Sequence, residues 1–177
     1  TFSVLDGDKI AYLFTHFLKK QIDALGLQQD LKVGVVQTAY ANGAATAALK
    51  SLNIPIITTK TGVKHLHRAA QQHFDIGIYF EANGHGTVLF SSKFYRVVTA
   101  QISSVQRNRL LAFAQLANQS IGDALADTLL VYCVLVLEDS SVPQWLACYT
   151  NRPNLTSKVI IKDRSVLETN HDDSKLT

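Results

Sequence analysis

Three side chains able to hold a polar ligand crowd into five residues of this sequence. They are Glu81, Asn83 and His85, in the string E-A-N-G-H-G-T from Glu81 to Thr87. An ionised carboxylate only accepts hydrogen bonds and can take two hydroxyl protons, whereas an amide both donates and accepts. Together, Glu81 and Asn83 suit a pair of adjacent hydroxyls. Gly84 and Gly86 allow the backbone to come close to whatever those groups hold. His85 has two open roles, as a donor to the ligand or as a brace for the loop. The plain alternative is a tight turn whose polar residues face water.

A second stretch with chemical promise runs from Thr59 to His65, TKTGVKH. It leaves a strand and enters a helix whose apolar face is Val63, Leu66 and Ala70. Lys64 and His65 then fall in the first helical turn, where each cation opposes the helix dipole by about 0.3–1 kcal/mol. An anion bound at the helix start would reverse that sign, and free amides with Lys60, Thr61 and Lys64 would contact a phosphate or an acidic sugar. A solvated basic face explains the same residues.

The elements that must position these groups follow from pattern. Phe74–Phe90, FDIGIYFEANGHGTVLF, reads as a strand, a polar glycine-rich turn and a second strand. Asn-Gly between two apolar runs is the strongest short hairpin signal. Upstream, Leu5–Asp8 opens a helix capped by Asp6, with Ile10, Leu13, Phe14, Phe17 and Leu25 on its core face and Gly26 after its end. Leu31–Gln37 is a buried strand, Asn42-Gly43 precedes an alanine-rich helix over Ala44–Leu52, and Ile54–Thr58 is the next strand. This order argues for an α/β layer with crossover connections. In such layers the carboxyl ends of parallel strands line the ligand crevice, so the two candidate loops are neighbours if their strands are parallel.

Beyond Ser91 the spacing predicts a helix over most of Phe94–Asn118, with Val97, Val98, Ile102, Val105, Leu110, Phe113 and Leu116 on its apolar side. A second, buried helix follows over Ser120–Leu137, capped by the serine; a strand at Leu129–Leu137 is the alternative. Trp145 and Leu146 dock a short helix. Asn151–Asn154 reads as a hinge, Lys158–Lys162 as one more strand, and Asp163–Thr177 as a poorly ordered polar tail. The expected organisation is therefore residues 1–150 as one α/β domain and 151–177 as a linker or the incomplete start of another.

The totals agree with a folded domain: 177 residues, 47% hydrophobic and 18% charged. A net charge of +3 is too mild to argue for nucleic acid, though it suits a phosphorylated ligand. Cys133 and Cys148 have neither metal nor redox spacing, which makes a reducing, cytoplasmic setting the expectation. The most apolar run, Leu129–Leu137, is about half the length a bilayer needs, so no membrane partner is expected. The chain starts at Thr1 and contains no methionine, as an internal fragment, a processed terminus or an altered sequence would.

The string Glu81–His85 resembles the sugar-binding loop of the α-D-phosphohexomutases, Glu-x-Ser/Asn-Gly-His, and its asparagine resembles the phosphoacetylglucosamine mutase branch. VGVVQTAYANGAAT at Val33–Thr46 and TKTGVKHLHRAAQQHFDIGIYFEANGHG at Thr59–Gly86 resemble the same branch. The likeness is strong from Leu5 to Phe90 and weaker to Lys162. It implies the third, sugar-recognising domain of a four-domain enzyme: a mixed sheet flanked by helices in three layers, with a helical C-terminal part.

The implied reaction exchanges phosphate between O6 and O1 of N-acetylglucosamine, on the route to UDP-N-acetylglucosamine. The implied substrate-binding residues are Glu81, Asn83, Gly84 and His85, which face the sugar, and Thr61, Gly62, Lys64 and His65 beside it. Glu81 and Asn83 would hold O3 and O4, common to both phosphate isomers. Implied partners are N-acetylglucosamine phosphate and the other domains of the parent enzyme.

The family binds Mg2+ through Asp-Gly-Asp-x-Asp-Arg. After Asp6-Gly7-Asp8 this chain has Ile10 and Ala11 where that pattern needs Asp and Arg, so these aspartates are helix-start residues and Mg2+ belongs to the complete enzyme rather than to this chain. The Ser-His-Asn-Pro and Arg-x-Ser-Gly-Thr loops are also missing. No residue here is a catalytic acid or base, and the chain by itself is expected to be inactive. Two other readings compete: a stand-alone, non-catalytic sugar-phosphate binding module, and an unrelated α/β interaction domain.

Overall fold

The structure, a computed structural model, describes residues 2–157, 159–163 and 166–168. Four strands, β1 (Val33–Thr38), β2 (Ile56–Thr59), β3 (Ile76–Phe80) and β4 (Gly86–Phe90), form one sheet in the order β2-β1-β3-β4. β1 pairs in parallel with β2 and β3, and β4 returns antiparallel to β3. The strand ends Thr38, Thr59 and Phe80 therefore share one edge. Continuous burial of β3 and β4 suits strands covered on both faces.

Alternation along the strands sends side chains into two cores. Val35, Ile76, Ile78, Phe80 and Val88 pack with Phe14 and Phe17 of helix α1 (Gly7–Ala24), while Val36, Tyr79 and Leu89 meet Leu66 and Ala70 of α3 (Val63–His73). Helix α2 (Gly43–Ser51) connects β1 to β2. The helices α4 (Ser92–Thr99), α5 (Val105–Leu116), α6 (Ala124–Leu137) and α7 (Val142–Leu146) follow β4. Helix, sheet and helix thus make three layers, as the sequence led us to expect.

Capping explains several boundaries. Asp6 accepts from Lys9 N at 3.1 Å to start α1, and Asn42 accepts from Ala44 N at 2.9 Å to start α2. Four expectations need correction. The single helix over Phe94–Asn118 is two helices, because Ser104 caps a new start at α5 and the turn before it leaves Ile102 exposed in solvent. The cap of the next helix is Asp123 rather than Ser120: its Oδ1 accepts from Leu125 N and Ala126 N, which stronger charge-assisted bonding favours. That helix buries one side only, through Leu130, Val134 and Leu135, while Leu129, Tyr132 and Val136 are exposed. Residues 159–162 form no strand, Lys158 lies outside the described residues, and so does most of the tail after Asp163.

Long-range polar bonds draw the C-terminal segment to α1. Lys9 is 98% buried by accessible area, being 2% exposed. A buried ammonium needs partners. Its Nζ donates to Leu146 O at 2.8 Å and to Tyr149 O at 2.5 Å, and lies 3.5 Å from the Tyr149 ring centroid. Trp145, at the core side of α7, donates Nε1–H to Lys9 O at 2.9 Å. Farther on, Asn42 grips Arg152 at both backbone atoms, accepting from its N and donating to its O, each at 3.0 Å.

Candidate sugar-recognition site

The turn after β3 closes more tightly than an Asn-Gly dipeptide alone would dictate. Glu81 N donates to His85 O at 2.9 Å, so these residues extend the ladder and leave Ala82, Asn83 and Gly84 as a three-residue loop. Gly84 N donates to Glu81 O at 2.8 Å. Gly84 takes φ +91°, the region glycine enters without steric cost, while Asn83 keeps φ negative. This is the three-residue hairpin loop with glycine in its last position rather than a two-residue turn. Asn83 Oδ1 accepts from His85 N at 2.8 Å, an Asx bond that fixes the loop from within.

Parallel pairing of β1, β2 and β3 brings the second loop beside this turn. Gly62 N donates to Glu81 Oε1 at 3.1 Å. Gly62 is the N-cap of α3 with φ +120°, and it has no side chain to cap with. Glu81 instead accepts from the backbone N–H of Gly62 itself, placing a carboxylate near the positive end of the α3 dipole. The protein thus places one anionic group of its own near the start of α3. Glu81 Oε2 lies 3.5 Å from Asn83 Nδ2, a long contact that leaves this oxygen able to accept a hydroxyl.

Glu81, Asn83 and Thr61 line a cavity of about 380 Å³, within the range of small-ligand sites. Thr38 and Asn42 from the β1 exit, with Asp8, are among its other walls. Gly62, Lys64, His65, Gly84 and His85 are not among the lining residues. Lys64 and His65 are exposed on the first turn of α3. The two loops therefore divide into residues that line the cavity and a basic flank outside its lining. Larger hollows at the opposite end of the strands and between α5 and α6 receive nothing from either loop.

Sequence reasoning missed Thr38, Tyr40, Asn42 and Asp8 as walls of this cavity. The signal for the first three was available, since the carboxyl-end rule applies to β1 as it does to β2 and β3. Asp8 had no such signal. Its Oδ2 accepts from Asn42 N at 2.6 Å, across 34 positions of sequence. Burial pushes its carboxyl up to about 6; the Asn42 bond partly offsets this and the neighbouring Asp6 charge adds to it. Asp6 is engaged as a cap. Among the described residues, no three His, Cys, Asp or Glu side chains gather at one point.

A parallel α/β layer closed by one antiparallel hairpin, with a Glu-x-Asn-Gly-His turn at its carboxyl edge, is the fold of an α-D-phosphohexomutase domain. A solved structure of Aspergillus fumigatus N-acetylphosphoglucosamine mutase in complex with GlcNAc-6P and magnesium superposes at TM-score 0.90, with 42% identity over 99% of this chain and 36% of that one. An N-acetylglucosamine-phosphate mutase of the alpha-D-phosphohexomutase superfamily, solved as a substrate complex, gives TM-score 0.90 and 42% identity over 99% of this chain and 34% of its own. The family profile described as phosphoacetylglucosamine mutase AMG1, domain III, matches residues 6–140. The chain belongs to that domain family. It is 48% identical to phosphoacetylglucosamine mutase of Saccharomyces cerevisiae over 99% of this chain and 33% of the relative, and 45% identical to that of Homo sapiens over 95% and 32%. The chain thus spans about a third of the length of these relatives.

Proposed function

We propose that this chain is the sugar-phosphate recognition domain of an intramolecular phosphotransferase that interconverts N-acetylglucosamine 6-phosphate and N-acetylglucosamine 1-phosphate, and so serves UDP-N-acetylglucosamine synthesis in the cytoplasm. The observation that carries this reading is the 3.1 Å bond from Gly62 N to Glu81 Oε1. It joins the two candidate loops and turns Glu81 and Asn83 to one cavity. There the carboxylate and amide hold the O3 and O4 hydroxyls, which both phosphate isomers share. Lys64 and His65 attract the phosphate from outside that wall, and His85 braces the turn.

The residues of this chain bind and orient; they move no phosphoryl group. Residues 1–150 form the recognition domain, and 151–177 lead toward the rest of the enzyme. Magnesium, the phosphoserine and the phosphate loop are supplied by other domains, the metal stabilising charge on the phosphoryl group in transit. The purified 177-residue chain is therefore expected to show no mutase turnover; measurable turnover by the chain alone contradicts this division of labour.

The direct test is titration of the labelled chain with N-acetylglucosamine 6-phosphate and 1-phosphate, following backbone amide shifts. Saturable shifts at Asn83–Gly86 with either isomer are the expected outcome. Shifts confined to Lys64 and His65, or none at millimolar ligand, would refute recognition by the turn.

A further inference from the structure

The turn over Glu81–Gly86 is gripped from two sides by positions that lack a side chain. On one side, Gly7 at the start of α1 donates its N–H to Ala82 O at 3.2 Å. A Cβ on Gly7 would overlap Glu81 O outright and stand 3.0 Å from Gly84 N. On the other side is Gly122, two residues before α6. A Cβ there would overlap His85 Cδ2, reach 2.7 Å from His85 Nε2 and 3.0 Å from Gly86 O. The Cδ2–Nε2 side of the imidazole therefore lies against Gly122, and His85 is not among the residues that line the cavity.

The Gly122 side cannot easily retreat. Thr87 Oγ1 on β4 donates to Asn118 O at 2.9 Å. Asn118 Oδ1 accepts from Ser120 N at 3.2 Å, and its Nδ2 donates to Asp123 Oδ2 at 3.2 Å. Asp123 in turn caps α6. Gly122 is held inside this closed set of bonds, which ties the helical C-terminal part to the hairpin.

We infer that Gly7 and Gly122 are positioning residues for the turn, and that Gly122 fixes where the turn sits by seating the His85 ring. This rests on the sugar-recognition reading above. The two contacts differ in kind. At Gly7 the obstacle to a side chain is backbone, which no side-chain change elsewhere can remove. At Gly122 the main obstacle is one side chain, so its removal must relieve the strain.

That asymmetry gives the test, run on the labelled 177-residue chain with N-acetylglucosamine 6-phosphate as probe. Gly122→Ala should move the ligand-free amide signals of Glu81–Gly86 and weaken binding about tenfold, the scale of overpacking strain. In a His85→Ala background the same Gly122→Ala change should move those signals little and alter binding less than about twofold. Gly7→Ala should displace the turn signals equally in both backgrounds.

The inference is overturned if Gly122→Ala leaves the turn signals in place, or if its effect is as large without the imidazole as with it. Should Gly122→Ala fail to fold, the double variant with His85→Ala must fold, and its failure too would overturn the inference. Absence of binding by the unaltered chain would sink the recognition reading instead, while the ligand-free signals would still decide the role of Gly122.

Discussion

The turn at Glu81–Gly86 and the loop at Lys60–His65 occupy the same edge of the sheet, but they are held there very differently. The turn is closed by its own bonds, from Glu81 N to His85 O, from Gly84 N to Glu81 O and from His85 N to Asn83 Oδ1. It is pressed from outside by Gly7 and Gly122. The loop has a positive-φ glycine, a helix start without a side-chain cap and the exposed basic residues Lys60, Lys64 and His65, and it is tied to the turn by the bond to Glu81. Hydroxyl recognition requires donors and acceptors at fixed positions, because each unmatched buried polar group costs about 1–3 kcal/mol. Attraction of a phosphate requires charge without strict placement, which long side chains on an open loop provide. The difference suits a ligand whose ring hydroxyls stay in one place while its phosphate is presented at either end.

The largest effect should come from Glu81, where the two regions meet. Glu81→Ala removes the hydroxyl acceptor and releases Gly62 N together, so catalytic efficiency of the complete enzyme should fall about tenfold to a hundredfold, as expected for charge-assisted hydrogen bonds of roughly 1.5–3 kcal/mol. Glu81→Gln keeps an oxygen for Gly62 N and loses the charge. It should fall about fivefold to tenfold, because neutral bonds are roughly half as strong. Steady-state kinetics of the two variants separate the structural tie from the ligand contact. Equal losses would mean that the charge is irrelevant and that only the tie between the loops matters.

Much of this arrangement was legible before any coordinates. Continuous apolar runs marked β1 and β3, the Asn-Gly dipeptide marked the hairpin, and the parallel order put Thr61 beside Glu81. The break at Ala100–Ser104 was not legible, because apolar spacing continues through Ile102 and no proline or glycine interrupts it. Nor did the pattern reveal that α6 is apolar on the side that faces solvent as well as on its core side, since composition alone cannot say which face packs. Asp8, as a wall of the cavity, was hidden for a different reason. Asp8–Asn42 and Asn42–Arg152 are pairings between distant parts of the chain, and local periodicity carries no information about them. Gly122 carried no motif of its own; its meaning appears only with the imidazole against it.

Beneath the turn, Asp8 offers a smaller and pH-dependent effect. Its pKa is raised from 3.8 to about 6, chiefly by burial, so the folded protein holds this proton more tightly than the unfolded chain. Stability contributed by the protonated form is full below about pH 4 and is lost as pH rises through about 6. Asp8→Asn keeps an oxygen for Asn42 N and removes the buried charge. The variant should therefore be more stable than the parent at pH 8 by about 1–3 kcal/mol and little different near pH 4. Denaturant unfolding at pH 4, 6 and 8 checks this. Asp127, also raised by burial, to about 7, adds a decline of the same sign that continues to higher pH and survives in Asp8→Asn. A variant less stable than its parent at pH 8 would show that the ionised carboxylate is needed to hold Asn42.

The smallest effect belongs to the open loop. Lys64 is exposed and the bond that ties this loop to the turn runs through Gly62, so Lys64→Ala should leave the turn and the fold unchanged. Its loss should be about twofold to threefold in affinity for N-acetylglucosamine 6-phosphate at low ionic strength, the scale of an exposed ionic interaction. Raising salt to about 0.5 M should erase the difference, since screening then acts over only a few ångströms. The uncharged sugar, N-acetylglucosamine, should bind parent and variant alike. Titrations at two salt concentrations, with and without the phosphate, isolate this contribution. A loss that persists at high salt, or that appears with the neutral sugar, would place Lys64 in a fixed contact with the ring and erase the contrast between the ordered turn and the open loop.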